Sequence, residues 1–176
     1  MQTIITIAII LISYVIGTYN SFIKKKNKIQ QAASGIDVYL TQRFDLIPNL
    51  VECVKGYMQH EKETFEQIAK MRASYLQTRD LKEGSALNIE CNRIVALAEN
   101  YPELKASEHF LNLQKNLTKI ESQLQAARRI YNAEVNAYNN KVQMFPSNII
   151  ANYFAFNMEE FFEAEDGASD NINIRY

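Results

Sequence analysis

Apolar positions along the chain fall into two regimes. No side chain from Met1 to Ile23 is charged, and Lys24, Lys25, Lys26 and Lys28 follow at once. A helix rising about 1.5 Å per residue needs roughly 20 apolar residues to cross a hydrocarbon core of about 30 Å. Thr3 to Ile23 supplies that length, so the first regime predicts a membrane-spanning helix. Beyond it, apolar residues recur at threes, fours and sevens, the spacing of amphipathic helices with one buried face.

The second regime divides at its prolines and glycines. Phe22, Ile29, Ala33, Ile36, Leu40 and Phe44 share one helical face, and no proline separates that face from the span, which predicts that the span runs directly into the first bundle helix. At Asp45-Leu46-Ile47-Pro48-Asn49 the helix should break, because Pro48 cannot donate to the carbonyl of Phe44. Asp45 is the expected N-cap of a second helix carrying Val51, Val54, Met58, Phe65, Ile68 and Tyr75. Gly84-Ser85 is expected to close the next connection, before a short helix with Leu87, Cys91, Ile94 and Ala98.

The longest periodic segment is expected from about Pro102 to Val142, through Phe110, Leu113, Leu117, Ile120, Leu124, Ala127 and Tyr131. It contains a small repeat, Tyr131-Asn132-Ala133-Glu134-Val135 and Tyr138-Asn139-Asn140-Lys141-Val142, offset by seven. The last break is at Phe145-Pro146, with Ser147 as candidate cap. It precedes a dense apolar and aromatic segment with Ile149, Ile150, Tyr153, Phe154, Phe156, Phe161 and Phe162. This segment reads as a short helix closing the bundle, with an exposed docking surface of Phe145, Tyr153, Phe154, Phe161 and Phe162 as the alternative. The predicted fold is all-α: an N-terminal transmembrane helix (1–23) continuing into an antiparallel four-helix bundle (24–166) with a short extra C-terminal helix. An extended coiled-coil rod is the runner-up. Residues 167–176 read as a mobile tail, although Ile172, Ile174 and Tyr176 alternate as a strand would and one strand needs a partner.

Charge and composition narrow the picture. A cleaved signal peptide would begin with basic residues and end at a small-x-small site, and this segment has neither, so retention is expected. Lysines on the carboxyl side place the N-terminus outside and the remainder in the cytoplasm. Tyr19 and Phe22 with Lys24, Lys25, Lys26 and Lys28 fit a membrane-interface belt facing anionic lipid, or the lysines merely stop transfer. A net charge of -1, with no basic cluster beyond Lys28, leaves no electrostatic footprint for nucleic acid. Cys53 and Cys91 lack CxxC spacing and read as apolar fillers.

No chemistry-bearing constellation emerges. A Glu-x-x-His metal pattern would need glutamate where Tyr57 and Ala106 precede His60 and His109. His60-Glu61-Lys62-Glu63-Thr64 begins like the zinc protease sequence, but Thr64 stands where the second histidine is needed. Neither GxSxG nor a glycine-rich phosphate loop occurs. No cofactor, metal or catalytic residue is therefore expected. Asp37, Arg43, Asp45, Asn132 and Asn139 lie near the apolar seams, where buried interhelical hydrogen bonds would fix register, with binding roles as the alternative.

Long ordered strings of the sequence resemble the LemA family of bacterial membrane-anchored proteins. They include Ile36-Asp37-Val38-x-Leu40, Arg43-x-Asp45-Leu46-Ile47-Pro48-Asn49-Leu50-Val51, Glu99-Asn100-Tyr101-Pro102, Ala127-Arg128-Arg129-x-Tyr131-Asn132, Tyr138-Asn139 and Phe145-Pro146-x-Asn148-Ile149. The resemblance implies a single span with an outside N-terminus, a helical bundle on the other side, and structural roles for Asp37, Arg43, Asp45, Pro48, Asn49, Tyr131, Asn132 and Pro146. It implies no established enzymatic activity; some relatives help build bacterial membrane compartments and others are linked with membrane-quality-control proteases. Departures from the family pattern are Ala33, where tryptophan is common, Ala155, where glycine often stands, and the Ile172 to Tyr176 ending. The leading expectation is a self-associating structural protein of the bacterial membrane, a homo-oligomer. The second is an adaptor docking on a membrane protein or protease through Phe145 to Phe162, and a hydrolase is the weakest.

Overall fold

The computed structural model describes residues 1–57 and 62–162, and these are all-α, with no strand among them. Seven helices follow in order: α1 (Gln2–Phe44), α2 (Ile47–Lys55), α3 (Lys62–Thr78), α4 (Leu81–Ala98), α5 (Pro102–Lys105), α6 (Glu108–Gln143) and α7 (Ser147–Tyr153). The chain divides into two compact units. Of the described residues, unit 1 holds 1–33 and 128–162, and unit 2 holds 34–57 and 62–127.

The apolar run and the first amphipathic face form one unbroken helix of 43 residues, as the absence of an intervening proline predicts. Its N-terminal part is long and apolar enough to cross a membrane, and the side chains of Ile4, Ile5, Ile7, Ile9 and Ile10 all face outward. Exposure of so many large apolar side chains is costly in water and favourable in hydrocarbon.

Unit 2 packs the predicted apolar stripes: Ile36, Leu40 and Phe44 of α1 meet a core that includes Leu50, Val54, Ile68, Tyr75, Leu87, Ile94 and Leu117. Its helix ends depart from expectation in three places. Asp45 does not cap α2: Leu46 occupies that position without a side-chain bond, and Pro48 falls in the first turn. Asp45 instead accepts from Arg72 Nη2 at 3.2 Å, while Arg72 Nε donates to the Phe44 carbonyl at 2.8 Å. That carbonyl is the acceptor Pro48 leaves without a partner, so Arg72 satisfies from another helix the group that proline orphans.

The connection expected at Gly84-Ser85 lies earlier, at Arg79-Asp80. Asp80 caps α4 by accepting from the amides of Lys82 and Glu83 at 2.8 and 3.0 Å. Arg79 holds a left-handed φ of 54°, and its guanidinium reaches Asp37 and lies over the Tyr75 ring. Gly84 sits inside α4, where a Cβ would meet Tyr75 and Leu40 at 2.7 and 2.8 Å; the glycine admits close packing and makes no turn. The third departure is at Ala106-Ser107, which separates the one-turn α5 from the 36-residue α6. The expectations placed on Met58, His60, Glu61 and the tail from residue 167 lie outside the described residues.

Candidate functional site

Unit 1 is built on the segment of α1 that leaves the apolar run. Phe22 and Ile29 pack with Val135 and Tyr138 of α6 and with Ile150 and Ala151 of α7, and Phe156 closes over them. Phe156 stacks on Phe22 with centroids 4.7 Å apart, and Tyr138 meets Phe22 edge to face at 6.0 Å. Phe22 is thus fully buried and takes no part in an outward aromatic belt. Tyr19, one turn earlier, remains partly exposed and touches Phe154 and Phe156 at 4.9 and 5.5 Å. Lys141 Nζ donates to the Ser21 hydroxyl and sits over Phe22, and Lys28 pairs with Glu134 at 4.0 Å. Pairings therefore run in opposite order along α1 and α6, so the two helices are antiparallel here.

Helix α7 ends after two turns in a Schellman motif: Phe156 N–H donates to Ala151 O at 2.9 Å and Ala155 N–H to Asn152 O at 3.3 Å. The residue in the left-handed position is Ala155, with φ 56°. Glycine carries no Cβ penalty there, which gives a physical reason why glycine suits this position. Helix α7 is the expected short closing helix, but it takes in only the first part of the aromatic segment: residues 156–162 are not helical and form an arm laid back along α6.

Two asparagines hold that arm. Asn139 Nδ2 donates to Glu159 O and its Oδ1 accepts from Glu159 N–H, both at 2.9 Å. Asn132 makes the same pair with Phe162, at 3.0 and 2.8 Å. A carboxamide carries one donor and one acceptor side by side and so mimics a strand neighbour. Residues seven apart on a helix rise about 10.5 Å, and three extended residues span about 10 Å, so spacing and register agree. The Tyr-Asn repeat is thus a ruler for an extended chain. Its tyrosines complete the seat: Tyr131 donates to Glu160 O at 3.2 Å and meets the Phe162 ring, whose face Arg128 covers at 4.9 Å. Burial first, then Glu159 and Glu160, pushes the Tyr131 hydroxyl pKa up. Lys26 pairs with Glu159 at 3.3 Å, an exposed contact contributing about 0–1 kcal/mol.

A second polar cluster lies in unit 2. Arg43, 2% exposed, donates to Glu121 and Asn92, and Asn88 donates to Glu121 at 3.4 Å. Asp37 accepts from Tyr75 and Arg79. Burial first, then the Asp37 carboxylate, drives the Tyr75 hydroxyl pKa well above its ordinary value. Both seams join helices distant in sequence, as register-fixing contacts do.

The remaining expected residues scatter. Lys24, Lys26 and Lys28 are exposed and Lys25 is half-buried; Pro48 and Asn49 are exposed on α2. Pro146 follows Phe145 through a cis peptide bond. Of the proposed docking aromatics, Phe145, Tyr153, Phe154 and Phe161 are exposed while Phe162 is half-buried against Tyr131 and Arg128. Ser147 caps nothing with its side chain in the expected sense; its hydroxyl donates to Lys141 O and Met144 O. Cys53 and His109 border one open groove with Tyr57, Ser107 and Asn112, and no hydrogen bond among the described residues positions thiol against imidazole.

The arrangement defines a class: a helical-bundle protein whose first bundle helix continues an N-terminal helix long and apolar enough to cross a membrane. The chain belongs to the LemA family, whose sequence profile matches residues 32–176, and is membrane-associated. It is similar to Protein LemA of Metamycoplasma hominis, 29% identical over 155 residues that cover 84% of this chain and 69% of that protein. It is also similar to Magnetosome proteins MamQ 1 and MamQ 2 of Paramagnetospirillum magneticum, each 22% identical over 184 residues, covering 88% of this chain and 68% of theirs.

Proposed function

We propose that the chain is a non-enzymatic scaffold that self-associates in the plane of a bacterial membrane, with its N-terminus outside and the bundle cytoplasmic. The observation that carries this reading is the packed, linker-free joint between the span and unit 1. The span ends inside a packed core of Phe22, Tyr138, Ile150 and Phe156, without a linker. Unit 1, packed on the end of its own anchor, would meet its neighbours at one height above the membrane. Confinement to the membrane raises local concentration, so weak lateral contacts suffice. Likeness to proteins named for the magnetosome agrees with a scaffold role. Lys24, Lys25, Lys26 and Lys28, on the bundle side of the span, support this orientation through the positive-inside bias.

Light scattering on gently solubilised full-length protein tests the proposal. Particles containing two or more chains, persisting on dilution, are expected; monomers at every concentration would sink it. A second reading, an adaptor for a membrane protein or protease, draws on the exposed rings of Phe154 and Phe161. Replacing both with serine should then abolish partner capture while helical content and oligomer size stay unchanged.

A further inference from the structure

The chain has a second uncharged stretch besides its span. Between Lys141 and Glu159 no side chain is charged, and this stretch holds the α6–α7 corner and all of α7. Four of its large side chains face outward together: Met144, Phe145 (78% exposed), Ile149 and Tyr153 (82% exposed). Exposed Phe154 and Met158 adjoin this group, Phe154 against Tyr153 and Met158 against Gln143, whereas exposed Ile130 lies about four turns back along α6.

Height relative to the span follows from contacts already described. Lys141 reaches Ser21, and α6 runs antiparallel to α1, so Met144 and Phe145 lie about 5 Å farther toward the apolar run. Tyr153 touches Phe154, which touches Tyr19, placing α7 beside the last residues of the span. Charge begins at one level on every strand of chain in this unit: Lys24 and Lys25 on α1, Lys141 on α6, and Glu159, paired with Lys26, on the arm. Among the described residues of this unit, 1–23 and 142–158 carry no charged side chain.

We infer that the α6–α7 corner is a second membrane contact, with Phe145, Met144, Ile149 and Tyr153 seated in the interfacial layer of the bilayer that α1 crosses. Its partner is the lipid surface itself. The corner lies beside the uncharged end of the span, and Tyr153 supplies the amphipathic ring that favours this depth. This contact depends on the anchor and is independent of self-association.

Absence of tryptophan from the chain makes the test clean. Full-length F145W and Y153W, each the sole tryptophan, are reconstituted in phosphatidylcholine vesicles, with I130W as control. Ile130 is exposed on the same helix, about 16 Å from Lys141 and away from the span. Expected are blue-shifted emission from F145W and Y153W, severalfold stronger quenching by lipids brominated high on the acyl chain, and protection from aqueous iodide; I130W should show the reverse. Iodide quenching of F145W and Y153W equal to that of I130W would overturn the inference. Shielding from iodide without quenching by brominated lipid would overturn it too, because a second copy of the chain would then cover the corner. Two separated positions guard against a local packing defect, and circular dichroism on each variant establishes that the helices are intact.

Discussion

Replacing Asn139 by alanine removes both hydrogen bonds to Glu159 at once. Each is an ordinary bond of 2.9 Å, and the arm can exchange it for water when it lifts, so the net contribution of about 1 kcal/mol per bond applies. The larger penalty for a polar group stranded in a core does not. Two bonds amount to about 2 kcal/mol, which is about thirtyfold in the equilibrium between docked and lifted arm. The Glu159 amide reports that equilibrium directly, because its hydrogen is the one Asn139 Oδ1 holds. Hydrogen exchange followed by NMR or mass spectrometry should show Glu159 about thirtyfold faster in N139A than in the parent. Core amides of α6 should be unchanged. N140A, at the exposed neighbouring position, is the control and should leave Glu159 unaffected. N132A should act in the same way at Phe162, and the double variant should release both amides. Unchanged exchange at Glu159 in N139A would refute the reasoning, since the pinning bonds would then carry no energy.

Three further outcomes follow from named residues. Ala155→Gly should stabilise the protein against unfolding in urea by about 0.5–1 kcal/mol, the left-handed penalty of a non-glycine residue less the added freedom of the unfolded chain. Destabilisation would contradict the Schellman geometry. Arg43→Met should cost about 3–5 kcal/mol by leaving Glu121 without its cation, whereas Arg43→Met with Glu121→Met should cost much less than the sum of the single changes; additive losses in the double-mutant cycle would contradict the coupling. Cys91 is buried, and burial pushes its thiol up to about 12. At neutral pH it is therefore protonated as well as shielded, and maleimide should modify Cys53 first and Cys91 only on unfolding; equal rates in the folded protein would be inconsistent with this packing.

Much of this fold is legible in the sequence because it rests on local rules. An uncharged run of spanning length, apolar spacing at threes and fours, and Pro48 against the carbonyl of Phe44 each dictate a feature within a few residues. What eludes the sequence is non-local. Arg72 takes over the Phe44 carbonyl from 28 positions away, so Asp45 is freed from capping and serves as an ion-pair partner. Asp80 outcompetes Gly84-Ser85 as the helix boundary because its carboxylate reaches two amides, while Gly84 is held in α4 by the proximity of Tyr75. The Tyr-Asn repeat is visible as a pattern, yet its meaning depends on backbone 20 and 30 residues downstream. Only its spacing of seven, the rise of two helical turns, could have pointed to an extended partner. Aromatic density after Pro146 predicts burial and helix together. The structure separates them, because Ala155 turns the chain out of α7 and the asparagines then fix it as an extended arm.

Self-association in the membrane is the central claim, and energy transfer between copies in vesicles tests it most directly. Donor- and acceptor-labelled full-length chains are co-reconstituted over a range of protein-to-lipid ratios. A scaffold gives transfer well above that of randomly distributed labels, retained as lipid is added. Transfer that follows the random expectation and vanishes on dilution in lipid would contradict the account.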